Sequence, residues 1–424
     1  MTVDADVRPS VDTRTRTVGV EGPVDPATFW ADDWCDALVR HGARAAEDAE
    51  RLDLPPITVD VDGVVRALRR GESGIEVVPG DHADLGVAID RKAFAELVCE
   101  ERTALGLVIG ARVVGEPDAN WAFCGWDPVL RSLLDGRGVH RPDDVTLRER
   151  DGAPLDLAQT FRLGERPAGA AHFLAEAGFL LLTDVFTDAE MDAVDADLAR
   201  AVAVAEPDDG TSWWAGTAAG DRYPCRILDF ARQSPALRAL IDDARFLAIG
   251  ELLGDGHTPG DPFGEHFGEV TAEGLLKRVE SVEGLACLPW HKDCDRGGHS
   301  MYCSGLTIGI CLTPIDPAHG GLDVIAGSHR ANIARAQVDE GLDLPEVTLR
   351  AGRGDVTVHL SCTVHRSTHP TTRERRVAYT GFTLPLRPGD RRGMADDQPR
   401  LARERAAIGG PERGAGLAPG ARRE

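Results

Sequence analysis

The sequence has no uninterrupted apolar run of about 18 residues, the length a helix needs to cross a bilayer, so no membrane span is expected. Its opening stretch, Met1 to Thr17, is polar, acidic and basic by turns. Without an apolar h-region it does not read as a secretory signal. None of the nine cysteines forms a CxxC pair, and an odd, scattered set outlines no disulfide framework. That usage fits reduced thiols in a cytoplasmic protein. Positive charge is also short: 47 Lys and Arg stand against 70 Asp and Glu, a formal net charge of -23. A nucleic acid or an anionic membrane surface is therefore an unsuitable partner, because phosphate binding needs a basic face. There is no H-E-x-x-H element either, which leaves a zinc hydrolase without its usual general base.

What is present suits a globular chain. An apolar fraction of 42% is enough for a packed core, and 424 residues are too many for one small domain, so two are expected. Residues 1–20 read as a disordered leader. Residues 21–160 read as a small α+β domain. A helix follows Asp25-Pro26, with Trp30, Trp34 and Leu38 four apart on one stripe. Ile57 to Val61 alternates like a half-buried strand, and Asp84 to Ile89 reads as another, followed by a helix from Arg91. This unit is similar to sterol-carrier-type lipid-binding domains, a likeness that implies an apolar tunnel. The aromatics of Asn120 to Trp126 fit either the lining of such a pocket or plain core. Gly164, Pro167 and Gly169 mark Arg162 to Ala170 as a linker.

A second domain, residues 161–388, follows. Thr187-Asp188-Ala189-Glu190 is a capping box, and it opens a helix with Met191, Val194, Leu198 and Val202 on one face. Trp213 to Pro224 reads as an irregular loop over the mouth of a site, and Pro235 to Leu253 as helix. From Leu275 short strands separated by Gly and Pro indicate a β-sandwich or jelly roll. Residues 389–424, rich in Arg, Gly and Pro, read as a flexible tail.

The stretch from Trp290 to Phe382 carries the chemistry. In His291-Lys292-Asp293 an imidazole and a carboxylate are two positions apart, so a strand would put both on one face. Further on come Gly354-Asp355, a β-rich run ending at His359, then His365 and Arg375-Arg376. Two histidines and a carboxylate with open positions opposite form the facial triad of non-haem Fe(II) oxygenases. An arginine beyond the distal His suits a dicarboxylate cosubstrate, whose carboxylate its planar fork matches. Arg375 and Arg376 point to opposite faces of a strand. Arg375 is chosen because Val377 and Tyr379 would share its inward face, and Arg376 stays open as the alternative. His299, His359 and His369 have no carboxylate at strand spacing and read as decoys, while His329 reads as fixing a turn.

The order Trp290-His291-Lys292-Asp293, an apolar strand Leu306 to Leu312, Gly320-Gly321-Leu322-Asp323-Val324-Ile325-Ala326-Gly327-Ser328-His329, Gly354-Asp355 and His365 resembles the phytanoyl-CoA dioxygenase family. Phe173 to Leu182 resembles its N-terminal signature. The resemblance spans roughly residues 170 to 385. It implies a double-stranded β-helix (jelly roll) with flanking helices behind a smaller α+β domain, α+β overall. It also implies Fe(II) held by His291, Asp293 and His365, with 2-oxoglutarate and O2 as co-reactants. Ser367 matches a family position that assists the cosubstrate carboxylate. Lys277 could add to that subsite, although a solvated lysine is the plainer reading. The implied reaction hydroxylates an unactivated C–H of a small molecule, lipid-like or a natural-product intermediate. Related halogenases have Gly or Ala where Asp293 stands, so the carboxylate favours hydroxylation or desaturation over chlorination. A binding protein with a silent jelly roll is the alternative. Oligomeric state is not legible.

Overall fold

The computed structural model describes residues 24–71, 74–80, 83–100, 102–207, 209–254, 256–260, 271–283, 288–296 and 305–384. The expected leader and tail lie outside these residues. The N-terminal unit opens where Asp25 accepts the amide of Thr28 and Pro26 occupies the first helical turn, a position that needs no N–H. The helix widens to a π turn over Phe29–Asp33 and runs on as Trp34–Arg51. Five strands follow: β1 Ile57–Val61, β2 Val64–Gly71, β3 Gly74–Pro79, β4 Gly86–Ile89 and β5 Val113–Gly115. They form one sheet in the order β3-β2-β1-β4-β5, antiparallel except where β1 lies beside β4. The Pro117–Asp135 helix lays Phe123, Trp126 and Leu130 into a core with Phe29, Trp30, Trp34 and Phe94. Their rings meet edge-on or tilted, 5.0 to 6.3 Å apart, which is good aromatic packing. A cavity of about 20 Å³ lies among Phe29, Trp30, Phe94, Phe123 and Trp126. Of the Asn120 to Trp126 aromatics, Phe123 and Trp126 belong to the core, whereas Trp121 is exposed.

The second unit contains two sheets. A ten-stranded one comprises β6 Phe161–Arg162, β7 Phe179–Thr183, β8 Ser212–Thr217, β9 Arg222–Ile227, β10 Thr258–Gly260, β11 Glu273–Lys277, β12 Ser281–Glu283, β13 Leu306–Cys311, β16 Val356–Leu360 and β18 Arg375–Thr383. Its order is β12-β8-β9-β11-β18-β13-β16-β7-β6, with β10 also on β18. The smaller sheet is β15 Glu346–Thr348, β14 Leu322–Ile325 and β17 His365–Ser367, in the order β15-β14-β17. This is the α+β jelly roll with flanking helices. One face of the large sheet carries Ile308, Ile310, Val356, Val358, Ala378 and Phe382, packed with Met191, Val194 and Leu198 of the Asp188–Val204 helix. The period of two sends Thr307, Thr357, His359, Arg375 and Tyr379 to the other face.

Two segments differ from their sequence reading. Trp213 to Pro224 is no loose loop but the β8–β9 hairpin, its register shifted at Trp213/Trp214. Alternating burial of Trp213, Ala215 and Tyr223 gives those aromatics a packing role. Arg162 to Ala170 is not a free tether: Phe161 pairs with Leu182, and Pro167 already begins the Pro167–Ala177 helix. Gly178 ends that helix at φ +81°, and a Cβ there would lie 2.3 Å from His329 Nδ1 and 2.7 Å from Thr363 Oγ1. Only glycine permits that approach. The two units are joined at Asn332, whose side-chain amide donates to Pro128 O at 2.8 Å and Arg137 O at 2.7 Å. The short Ala104–Ile109 helix of the first unit packs on the Asp293–Arg296 turn of the second.

Candidate metal centre and cosubstrate subsite

His291 and His365 lie opposite each other as an antiparallel pair, each backbone N–H donating to the other's carbonyl at 2.9 Å. This pairing extends the small sheet past β17 and sets the two rings 4.2 Å apart. Two residues on, the chain turns into the 3-10 turn Asp293–Arg296, which brings the Asp293 carboxylate back between the rings. Its Oδ1 is 3.8 Å from His291 Nε2 and 3.7 Å from His365 Nε2. One ligand atom from each of the three residues falls within 4.8 Å of the others, a group able to hold a metal ion.

The remaining ring nitrogens define the tautomers. His291 Nδ1 donates to Pro289 O at 2.7 Å and His365 Nδ1 to Thr363 O at 2.9 Å. With a proton on Nδ1, each ring turns its Nε2 to the centre, the arrangement typical of metal-binding imidazoles. Burial, and after it the imidazoles of His291 and His359, push His365 well below the ordinary histidine range, against the opposing pull of Asp293. Burial alone would raise Asp293, but the imidazoles, His365 first, and the hydrogen bond from His359 hold it well below the usual carboxylate range. Two imidazole nitrogens and one carboxylate oxygen are a donor set that suits a divalent iron.

Arg375 is 1% exposed at the start of β18. It donates to Gly321 O at 2.9 Å, Ser367 Oγ at 3.3 Å and Tyr379 OH at 3.2 Å. All three acceptors are neutral. Arg376, on the opposite face, is tied to Asp195 at 2.9 Å and Glu374 at 2.7 Å. Lys277 corrects its plainer sequence reading: it is 0% exposed, facing Arg375 across β11 and β18, with Nζ 2.6 Å from Ser367 Oγ and 2.7 Å from Thr368 O. Burial on the inward face, beside two oxygen acceptors, explains why it does not snorkel. Ser367 follows His365 by two positions on β17, so both side chains leave the same face about 7 Å apart.

His359, read as a decoy, belongs at the centre. Its Nε2 is 3.2 Å from Asp293 Oδ2 and its ring 4.4 Å from that of His365. The carboxylate that pairs with it comes from 66 residues away, which strand spacing could not reveal. A legible signal was the alternation of β16, in which Thr357 and His359 are the polar members between Val356, Val358 and Leu360. Thr307, on β13 opposite His359, was also missed; its hydroxyl donates to the same Asp293 Oδ2 at 2.8 Å. His329 bonds Ala175 O at 3.0 Å from a 3-10 turn after Gly327. His299 lies outside the described residues.

The model of the phytanoyl-CoA dioxygenase (PhyH) family matches residues 174–378. No curated protein matches the chain. Among solved structures, AviO1 from Streptomyces viridochromogenes Tue57 is 20% identical, with 52% of this chain and 96% of that one covered at a TM-score of 0.42. The epimerase SnoN in complex with Fe3+, alpha ketoglutarate and nogalamycin RO is 20% identical over 51% and 83%, TM-score 0.40. EctD from S. alaskensis with 2-oxoglutarate and 5-hydroxyectoine is 20% identical over 58% and 86%, TM-score 0.42. Among the described residues, no helix is long and apolar enough to cross a membrane.

Proposed function

Since residues 174–378 belong to the phytanoyl-CoA dioxygenase family, we propose that this chain is a non-haem Fe(II)- and 2-oxoglutarate-dependent dioxygenase that hydroxylates a small molecule. The observation that carries this reading is the convergence of His291, Asp293 and His365 beside a buried guanidinium whose hydrogen bonds all go to neutral groups. A buried cation without an anion is costly, and a carboxylate from a cosubstrate would relieve it.

In this reading His291, Asp293 and His365 hold the metal, with His nitrogens pre-oriented by Pro289 O and Thr363 O. Arg375 grips the far carboxylate of 2-oxoglutarate, and Lys277 and Ser367 complete its surroundings. Bound iron would supply the redox chemistry that couples substrate, 2-oxoglutarate and O2 to hydroxylated substrate, succinate and CO2. The protein's part is to fix the cosubstrate in one orientation and to keep both donors unprotonated. Asp293 fills the place that a halide takes in related halogenases, which supports hydroxylation. The substrate is a small molecule, lipid-like or a natural-product intermediate.

The test is to incubate the metal-free protein with Fe(II), 2-oxoglutarate and host metabolite extract under air. Succinate formation that requires added Fe(II), with one metabolite gaining the mass of one oxygen, is expected. No iron-dependent succinate, or a chlorinated product from the intact protein, would overturn the reading.

A further inference from the structure

We infer that His359 is a positioning residue that keeps Asp293 bound to the metal through one oxygen only; this rests on the iron reading above. The two oxygens of Asp293 have different surroundings. Oδ1 faces His291 Nε2 and His365 Nε2, at 3.8 and 3.7 Å. Oδ2 receives Thr307 Oγ1 at 2.8 Å and His359 Nε2 at 3.2 Å. Thr307 is in turn linked to Ser361 Oγ at 3.1 Å. Turning the carboxylate so that both oxygens met a metal would break both of these hydrogen bonds among buried groups. Each buried donor left unpaired costs about 1–3 kcal/mol, so the one-oxygen geometry is strongly favoured. That geometry leaves free the metal position a second carboxylate oxygen would take, and a chelating cosubstrate and O2 together need three.

The cost of His359 to the fold marks it as more than packing. It is 1% exposed on the inward face of β16, and its Nδ1 has no hydrogen-bond partner among the described residues. A valine at such a strand position would bury no orphan nitrogen and would suit the pleated surface. Because Oδ2 accepts, His359 must carry its proton on Nε2, and this one donor is what the role needs.

The experiment compares wild type with His359→Val, His359→Gln and Thr307→Val. Metal-free stability is measured by urea unfolding, and Co(II) binding by titration of its ligand-field absorption bands. In His359→Val, metal-free stability is expected to change little, because relief of the orphan Nδ1 is offset by the donor lost to the buried Asp293 carboxylate. Its Co(II) affinity should fall about 10–100-fold, the usual effect of losing a partner of a metal ligand, with altered bands reporting the changed coordination. His359→Gln, whose amide can again donate to Oδ2, should recover most of the affinity and the wild-type bands. Thr307→Val should weaken Co(II) in the same direction. Unchanged affinity and bands in His359→Val would overturn the inference while leaving the iron reading intact. So would a loss of stability that accounts for the lost affinity and is not rescued by Gln. Wild-type protein that takes up no Co(II) would instead sink the iron reading, and the positioning role with it.

Discussion

Arg375 and Arg376 are neighbours on β18 whose side chains meet opposite surroundings, the first among Gly321 O, Ser367 and Tyr379, the second among the carboxylates of Asp195 and Glu374. If Arg375 anchors the cosubstrate, Arg375→Lys loses the bidentate fork and should raise the KM for 2-oxoglutarate at least tenfold, about 1.4 kcal/mol. Arg376→Ala should leave that KM within about twofold. It should cost only about 0.2–1 kcal/mol of stability, as expected for a partly exposed ion pair. Steady-state succinate assays and urea unfolding check both, and equal KM effects at the two positions would remove Arg375 from the proposed subsite. A second residue-scale expectation concerns thiols. Burial, reinforced by Asp355 and opposed by Arg375, pushes Cys311 up to about 12, so almost no thiolate exists at pH 8. Iodoacetamide followed by peptide mass spectrometry should label the exposed Cys35 and leave Cys311 untouched until the protein is unfolded.

At the scale of the element, the Asp188–Val204 helix depends on its first turn. Thr187 caps the amide of Glu190, and Glu190 reaches back to Thr187 while also meeting Arg245 at 2.6 Å. The Arg245 hydrogen bond first, then those from Thr187, lower the Glu190 carboxyl from 4.5 to about 2, against the opposing effect of burial. Its folded value being depressed, the carboxylate contributes stability fully above pH 4.5. That contribution is lost as pH falls from 4.5 toward 2. Glu190→Gln should therefore destabilise by about 1 kcal/mol at pH 7, and the difference should shrink at pH 3. Urea unfolding at the two pH values decides; a difference that grows on acidification would contradict the assignment. The strands of the site follow the same logic of local pattern. In β16 the apolar residues face the helices and Thr357 and His359 face inward, so the single polar alternation supplies both a core face and a functional one.

For the whole molecule, a contact that joins its two units lies close to the candidate site, since Lys292 Nζ donates to Ala331 O, next to Asn332, at 3.3 Å. Asn332 is buried with its side-chain amide between Pro128 O and Arg137 O, and its backbone carbonyl accepts the His140 N–H at 2.8 Å. His140 then reaches Asp343 at 2.7 Å, and Gln337 donates to His140 O. Removing the amide in Asn332→Ala leaves two buried carbonyls without that donor, an expected loss of about 2 kcal/mol or more. Asn332→Asp should be worse, because a carboxylate oxygen would face carbonyl oxygens. Urea unfolding checks the order; a loss below about 0.5 kcal/mol for either would mean that water replaces the amide. The N-terminal unit also reaches the candidate site directly, because the Ala104–Ile109 helix rests on the Asp293–Arg296 turn.

Local order and spacing made much of this protein legible: the capping box, the inward and outward sides of β18, and the three donors His291, Asp293 and His365 as candidates. Those features depend on neighbours within a few residues, or on a strand's period of two, which a sequence displays directly. The contacts of His359 and Thr307 with Asp293, the burial of Lys277 and the docking at Asn332 were decided by the tertiary structure alone. Each depends on which distant strand or loop comes alongside, as β13 does to β16 and β11 to β18. Hydrogen bonds reach about 3 Å in space whatever the separation along the chain, so residues 66 or 90 positions apart become partners only once the sheets have formed.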